Sequence, residues 1–436
     1  MAEPFLDSLL VDTPSTTRAV IPTWLADRRR RAREGLDRDG LPGSRNEAWK
    51  YTSLRALSQR RYRRGDDGAV ERTVEPALVD LPGLDGPRLV FVNGLWRADL
   101  SRLPAIDGLT VEPLATALAR DDAQLRSALE TPFEAPEFAF ARLNTALADE
   151  GVVLRVAAGT RIESRVQLVF VGVVTEPLVW NLRVIVELDE DSALTLVEHH
   201  SGAEGDAHLG NLVSQVSLAR GARLDLLQLQ AAPETATRIR RSAFRLGTDA
   251  TLNLRTLELG GALARHDLVV ELAGDRARVV SRGVFAARSR QHLDTRIDVR
   301  HQSRDTACEL IWRGIASGRA RGVLHGAITV EAGADGADAS LDTKNLLLSE
   351  QAEIDVQPVL EIHADEVKAA HGATVGQLDE RALFYLRTRG IPAAEARTLL
   401  TLAFCRVAID TLENALLREH IDGLLLERLP LADAAP

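Results

Sequence analysis

The segments GARLDL (residues 221–226) and DATLNL (residues 249–254) share one pattern: a turn residue, an alanine, then leucines at every second position. Leucines two apart lie on the same face of a β-strand, so each segment reads as a strand entered from a tight corner. The pattern recurs. Ala193, Ala222, Ala250, Ala277, Ala307 and Ala337 follow one another at intervals of 29, 28, 27, 30 and 30 residues. Each stands near a Gly- or Asp-centred turn, beside strands such as Leu194-Thr195-Leu196 and Val279-Val280. A period near 30 with strand-type alternation marks a solenoid, because one unit cannot bury its apolar face until the next stacks on it. A β-sandwich would instead turn every ~8 to 12 residues with no longer register. The expected fold is therefore mainly β, a right-handed parallel β-helix over residues 151–362.

Outward from this body the texture turns helical. Residues 1–150 read as a mostly helical N-terminal region. It carries the arginine run Arg28-Arg29-Arg30-Arg31-Ala32-Arg33, best read as a solvated helix face, and a break at Gly40-Leu41-Pro42-Gly43. Asn46 to Thr52 places Trp49 and Tyr51 beside charge, as expected of a turn that docks on the body. Arg88 to Gly94 reads as a strand ending in an Asn-Gly turn, and a helical stretch runs from about Leu114 to Leu147. Residues 363–436 form a C-terminal helical region. There Asp379 is a candidate N-cap, Gly390 a stop, and Pro392 the opening of a second helix with Leu399, Leu400, Ala403 and Phe404 at helical spacing. A third apolar run reaches Leu426. Both helical regions are expected to cap the solenoid ends, and the last helices carry more apolar surface than capping requires.

The chain has 436 residues, too many for one compact core but suited to an elongated repeat body. A net charge of −10 argues against general nucleic-acid binding. Two cysteines, Cys308 and Cys405, provide neither a disulfide framework nor a CxxC site and suit a reducing compartment. No signal-like start and no apolar run of membrane-spanning length is found, which predicts a soluble, cytoplasmic protein without membrane contact.

A β-helix invites the hypothesis of an enzyme acting on a polysaccharide or nucleotide sugar, which needs clustered carboxylates. Asp294, Asp298 and Asp305 come closest, but the arginines around them favour surface ion pairs. His199, His200 and His208 raise the thought of a metal site, although neighbours on a strand face opposite ways. P-loop, GxSxG and HExxH patterns are missing, so no ATP hydrolysis or hydrolase chemistry is expected of this chain. A purely structural homodimer is a third reading. His371, followed by Gly372, Ala373 and Thr374, is the remaining candidate, since small neighbours let a ligand or another backbone approach. Its bland alternative is a turn histidine bonded to a carbonyl.

The block HGATVGQLDERALFYLRTRGI, residues 371–391, resembles the C-terminal signature of the SufB/SufD family of iron–sulfur cluster assembly proteins, in the form of its SufD branch. Asn345 to Ser349, Leu360 to Ile362, Glu47 to Thr52, Val90 to Gly94 and Leu143 to Ala146 are similar to further landmarks, so the likeness spans roughly residues 41–404. The resemblance implies a non-catalytic scaffold with a parallel β-helix between helical regions. It implies pairing with a SufB-type protein and binding of a SufC-type ABC ATPase by the C-terminal helices; a homodimer of the chain alone stays open beside the mixed complex, since the same edges could serve both. It places His371 at the partner interface as a ligand for iron or a nascent cluster, held transiently and shared with SufB. Many SufD-like sequences carry a cysteine two residues earlier. Here that position is Ala369, so any thiolate has to come from the partner.

Overall fold

The computed structural model describes residues 4–10, 22–64, 72–120, 123–130 and 133–429. Its body is a parallel β-solenoid in which the chain crosses between two facing sheets at almost every strand. One sheet holds β4 (Leu109–Pro113), β5 (Glu150–Val156), β7 (Leu178–Leu188), β9 (Leu209–Leu218), β11 (Thr237–Leu246), β13 (Leu263–Leu272), β15 (His292–His301), β17 (Arg321–Val330) and β19 (Glu353–Ile362), with the short β1 (Arg63–Arg64) on β7. The other holds β2 (Arg88–Val92), β3 (Leu95–Trp96), β6 (Val166–Gly172), β8 (Ala193–Gly202), β10 (Arg223–Gln230), β12 (Thr251–Glu258), β14 (Arg278–Ala287), β16 (Ala307–Ala316), β18 (Asp338–Leu347) and β20 (Lys368–Gly376). The ladder thus starts before residue 151, at β2, and continues past residue 362 to Gly376.

The register explains the repeat. Arg223 pairs with Thr251, Thr251 with Arg278, Arg278 with Ala307, Ala307 with Asp338, and Asp338 with Lys368. The recurring alanines sit at the corners that lead into the second sheet. Directly before them the backbone turns through positive φ at Gly221 (68°), Asp249 (57°), Arg276 (58°) and Gly336 (77°). Ala222, Ala250 and Ala277 are fully buried there, where a larger side chain would strike the coil above or below. Between the sheets, one face of each strand supplies a continuous apolar core, including Leu182, Val184, Leu224, Leu226, Leu252, Leu268 and Ile297.

The outward faces also need cover. Helices α1 (Pro4–Leu10), α2 (Thr23–Asp39), α3 (Arg55–Ser58) and α6 (Ala139–Leu147) pack against Val179, Leu209 and Ile239 of the first sheet, while α4 (Leu114–Leu118) and α5 (Ala123–Leu129) cover Val153 and Ile185. The helical stretch from about Leu114 to Leu147 is made of α4, α5 and α6. The Asn46–Thr52 turn docks as expected: Trp49 is buried, its Nε1 donates to the Glu137 carbonyl, and the Arg265 guanidinium lies 3.8 Å from its ring centre. The arginine run is mixed in character. Arg30 pairs along the helix with Glu34, whereas Arg29 binds Asp149.

At the other end of the chain, α7 (Glu380–Thr388), α8 (Ala393–Cys405) and α9 (Ala415–Arg428) follow the solenoid. Asp379 accepts from the Arg381 amide as the N-cap of α7, and Gly390 carries the positive φ after it. The expected capping role does not hold. Leu402, Cys405, Leu417, Ile421 and Leu425 pack on Val197, Leu227, Leu257, Val284 and Ile315, which is the outward face of the second sheet. That apolar face exposes more surface to cover than a coil end does, so it takes the helices. Among the described residues, no helix is long and apolar enough to cross a membrane.

Candidate functional site: an open solenoid end

The consequence is an uncovered end. β19 and β20 are the last strands of their sheets, each paired on one side only. Every residue of β20 except Ala369 is exposed, and Val359, Ile362 and Val375 show 42%, 41% and 46% of their surface. An edge of nine or ten residues offers unpaired N–H and C=O groups as a template for another strand. The two edges differ. β19 contains Pro358, which cannot donate a backbone hydrogen bond, whereas β20 is free of proline and, after Lys368, built from Ala, Gly, Thr and Val around one histidine.

His371 lies on β20 and not in a turn, so the bland reading of a carbonyl-bound turn histidine fails. It pairs in register with Leu341, a member of the inter-sheet core, and so belongs to the row that faces the lumen. With no further coil above it, this lumen-facing position is exposed, and its imidazole bonds no side chain or backbone group among the described residues. Gly372 beside it has only Asp342 Oδ1 near, at 4.0 Å from where a Cβ would stand. The histidine is thus accessible along and above the strand.

Neither cysteine can supply a thiolate at this edge. Cys405 is fully buried beneath the C-terminal helices, and burial pushes its thiol up to about 12. Cys308 faces the lumen, in register with Ala339 and, one coil further, Ala369. Its Sγ lies 3.3 Å from His301 Nε2, and burial raises it likewise to about 12. His301 stays neutral, since burial lowers it to about 4, and its Nδ1 meets Thr306 Oγ1 at 2.8 Å.

The other sequence candidates separate. Asp294 is buried, bonded to Arg265 at 2.8 Å and accepting from Thr52 Oγ1 at 2.6 Å, which locks the N-terminal turn to β15. Asp298 pairs with Arg300 at 2.9 Å, and Asp305 is a corner residue with φ 56°. All three serve structure, and among the described residues they form no groove of free carboxylates. His199 points outward beneath α9 and His200 into the lumen, as adjacent strand residues must. His208 fixes a turn, its Nδ1 accepting from the Leu178 amide and its Nε2 donating to the Val173 carbonyl. Among the described residues, no three His, Cys, Asp or Glu side chains come together as a metal site.

Further exposed apolar side chains lie on the C-terminal helices, where Phe384 and Tyr385 of α7 are 68% and 56% exposed and Leu399 of α8 and Leu416 of α9 are exposed as well. Sequence reasoning located this apolar surplus but missed the open edges. The signal was available: adding the 30-residue period to Ala337 predicts one further strand starting near residue 367, and β20 begins at Lys368.

The fold and its bare end define a class, a two-sheet parallel β-solenoid subunit with helical wrappings along its sides and full-length strand edges left bare at its C-terminal end. The SufBD core domain of the SUF system for FeS cluster assembly matches residues 172–404, and the SufBD N-terminal region matches residues 9–168. The chain belongs to the SufB/SufD family, on its SufD branch. It is 28% identical to the iron-sulfur cluster assembly protein SufD of Escherichia coli (strain K12), over 91% of each chain. A SufBD family protein of Synechocystis is also 28% identical, over 91% of this chain and 89% of its own. SufD of Bacillus subtilis is 26% identical over 62% of each.

Proposed function

We propose that this chain is a non-catalytic scaffold subunit of a SUF-type iron–sulfur cluster assembly complex. It pairs through its open end with a SufB-type protein and presents its C-terminal helices to a SufC-type ATPase. The observation that carries this reading is the pair of unpaired edges at β19 and β20, since a solenoid end without a cap is stabilised by a strand from another chain. The partner's edge would extend the ladder, with β20 the better template because it lacks proline.

Iron and the nascent cluster are cargo in this scheme. The imidazole of His371 is suited to ligate iron as a neutral nitrogen donor, and small neighbours leave room for the partner's ligands. Both cysteines are buried as thiols, so the thiolates come from the partner. Exposed Phe384 and Tyr385 offer aromatic anchors for the ATPase. Nucleotide-driven movement of that ATPase would bias the SufB–SufD interface between two arrangements. The site of action is the cytoplasm, with no nucleic acid or membrane involved, and the chain alone forms a homodimer through the same edges.

Light scattering on a gel-filtration column tests the proposal with the chain alone and with SufB- and SufC-type proteins added. A stable larger complex is expected with both. Failure to shift with either partner would overturn the scaffold reading.

A further inference from the structure

The turn at Asn46–Thr52 reaches further along the solenoid than its docking on β13 and β15. Asn46 opens it, its Oδ1 accepting from the Ala48 amide, and the short 3-10 turn Glu47–Trp49 follows. Successive side chains then meet successive coils. On β13, the Arg265 guanidinium lies over the Trp49 ring and donates to the Ala48 carbonyl at 2.7 Å. On β15, Asp294 accepts from Thr52 Oγ1 at 2.6 Å. That hydroxyl has one hydrogen, so His292 Nε2, 2.8 Å away on the same strand, donates to it. On β17, the Arg321 guanidinium stands 5.7 Å from the centre of the Tyr51 ring, with Lys50 Nζ at 5.4 Å. On β19, Gln357 Nε2 donates to Tyr51 Oη at 2.8 Å. One turn thus spans four successive strands of the first sheet and ends on the last of them.

The contact with Gln357 differs from the others in what it holds. β13, β15 and β17 have a neighbour on each side, whereas β19 has β17 alone. A strand paired on one side is the first to open locally. The inward face of β19 packs on the core through Ile354 and Leu360. Its outward face has no helix over it. Among the described residues, the Tyr51–Gln357 bond is the one side-chain hydrogen bond that reaches β19 from outside the solenoid. Arg321 reinforces it, because the guanidinium beside the Tyr51 ring also binds Asp355 of β19 at 2.7 Å. β20 has no such support: among the described residues, no side-chain hydrogen bond from outside the solenoid reaches it, and all of it but Ala369 is exposed.

We propose that Tyr51 is a positioning residue of the open end: through Gln357 it holds the edge strand β19 in the arrangement that the partner's strand meets. The inference rests on the pairing of this end with a SufB-type protein. It gives the two edges different roles, with β19 braced before the partner arrives and β20 ordered by its arrival.

Hydrogen exchange on the isolated chain, at concentrations too low for self-association, reads the brace. Tyr51→Phe keeps the ring against Arg321 and removes only the hydroxyl. Amides of β19 that donate to β17 should then exchange about fivefold faster, as for one lost hydrogen bond, with β13 and β20 unchanged. Gln357→Leu removes the other half of the same bond, so the double variant should show no more than either single change. The dissociation constant for the SufB-type partner should rise by about threefold or more in each variant, since the edge is no longer preorganised. A wild-type chain that binds no partner would overturn the pairing, and this inference with it. A wild type that binds, with β19 exchange or affinity unchanged in both folded variants, or with additive effects in the double variant, would overturn the role of Tyr51 alone.

Discussion

The two ends of the solenoid are built from the same repeat and finished in opposite ways. At the N-terminal end, β3 folds back antiparallel on β2 through the Asn93-Gly94 turn, and β4 runs antiparallel to β5. The reversed strands are two and five residues long, and Phe91 behind them is fully buried and stacked on Phe170 at 5.6 Å. At the C-terminal end, nothing reverses. β19 and β20 stop with full-length edges bare, and the chain spends its last three helices along the side. A monomer protecting itself from edge-to-edge association would blunt both ends. Blunting only one leaves a directional surface, which is what a subunit that joins one partner end to end requires.

The largest test of this contrast is a matched pair of truncations. Phe91→Ala at the closed end should cost about 3–5 kcal/mol in urea unfolding, through lost burial and a residual cavity. Val375→Ala at the open end, measured at concentrations too low for the chain to self-associate, should change stability by less than about 0.5 kcal/mol, as exposed positions do. Equal costs would mean that the open end is already packed in the chain alone.

Acid sensitivity should also reside in the closed body. His199, His266 and His301 are held neutral by burial, each lowered from 6.5 to about 4. Between those pH values the unfolded chain binds protons that the folded chain refuses. Their contribution is thus complete above pH 6.5 and is lost as the pH falls toward 4, with a slope of up to about 1.4 kcal/mol per pH unit for each histidine. Urea midpoints measured across this window should fall with pH, and His301→Gln should flatten the profile. Val375→Lys should leave the slope unchanged.

A smaller effect is expected at the interface. Val375→Lys with Ala373→Lys puts charges on the lumen-facing row of β20 and should weaken partner association by about tenfold or more, roughly 1.4 kcal/mol, with the fold intact. Titration by light scattering or calorimetry reads this directly. His371→Ala should have the mildest effect on structure: assembly is retained, and iron bound per complex, measured by metal analysis after reconstitution, drops severalfold. Unchanged iron content would remove His371 from the mechanism.

The body was legible in the sequence because a stacked coil forces repetition: a corner needs a small residue beside a left-handed turn, and the alanines recorded each corner in turn. The capping of α7 by Asp379 and the docking of Trp49 were readable for similarly local reasons. The open end was not read, because the last coil departs from the pattern that announces the others. Its residues include Pro358, Ala369, His371 and Gly372 instead of alternating leucines, since no further coil covers them. The placement of α8 and α9 was also beyond the sequence. Helical periodicity reports that a helix has an apolar face, not which surface that face will meet. His371 is the clearest case: its neighbours marked it as accessible, but only the register with Leu341 puts it in the lumen-facing row.

The central claim concerns the β20 edge, and amide hydrogen exchange measures it strand by strand. In the chain at concentrations too low to self-associate, amides of β20 should exchange fast while those of β18 remain protected. On adding the SufB-type partner, Lys368–Gly376 should become protected, with β2 and β3 at the other end unchanged. A β20 that exchanges equally fast in a demonstrated complex would contradict pairing through the open end.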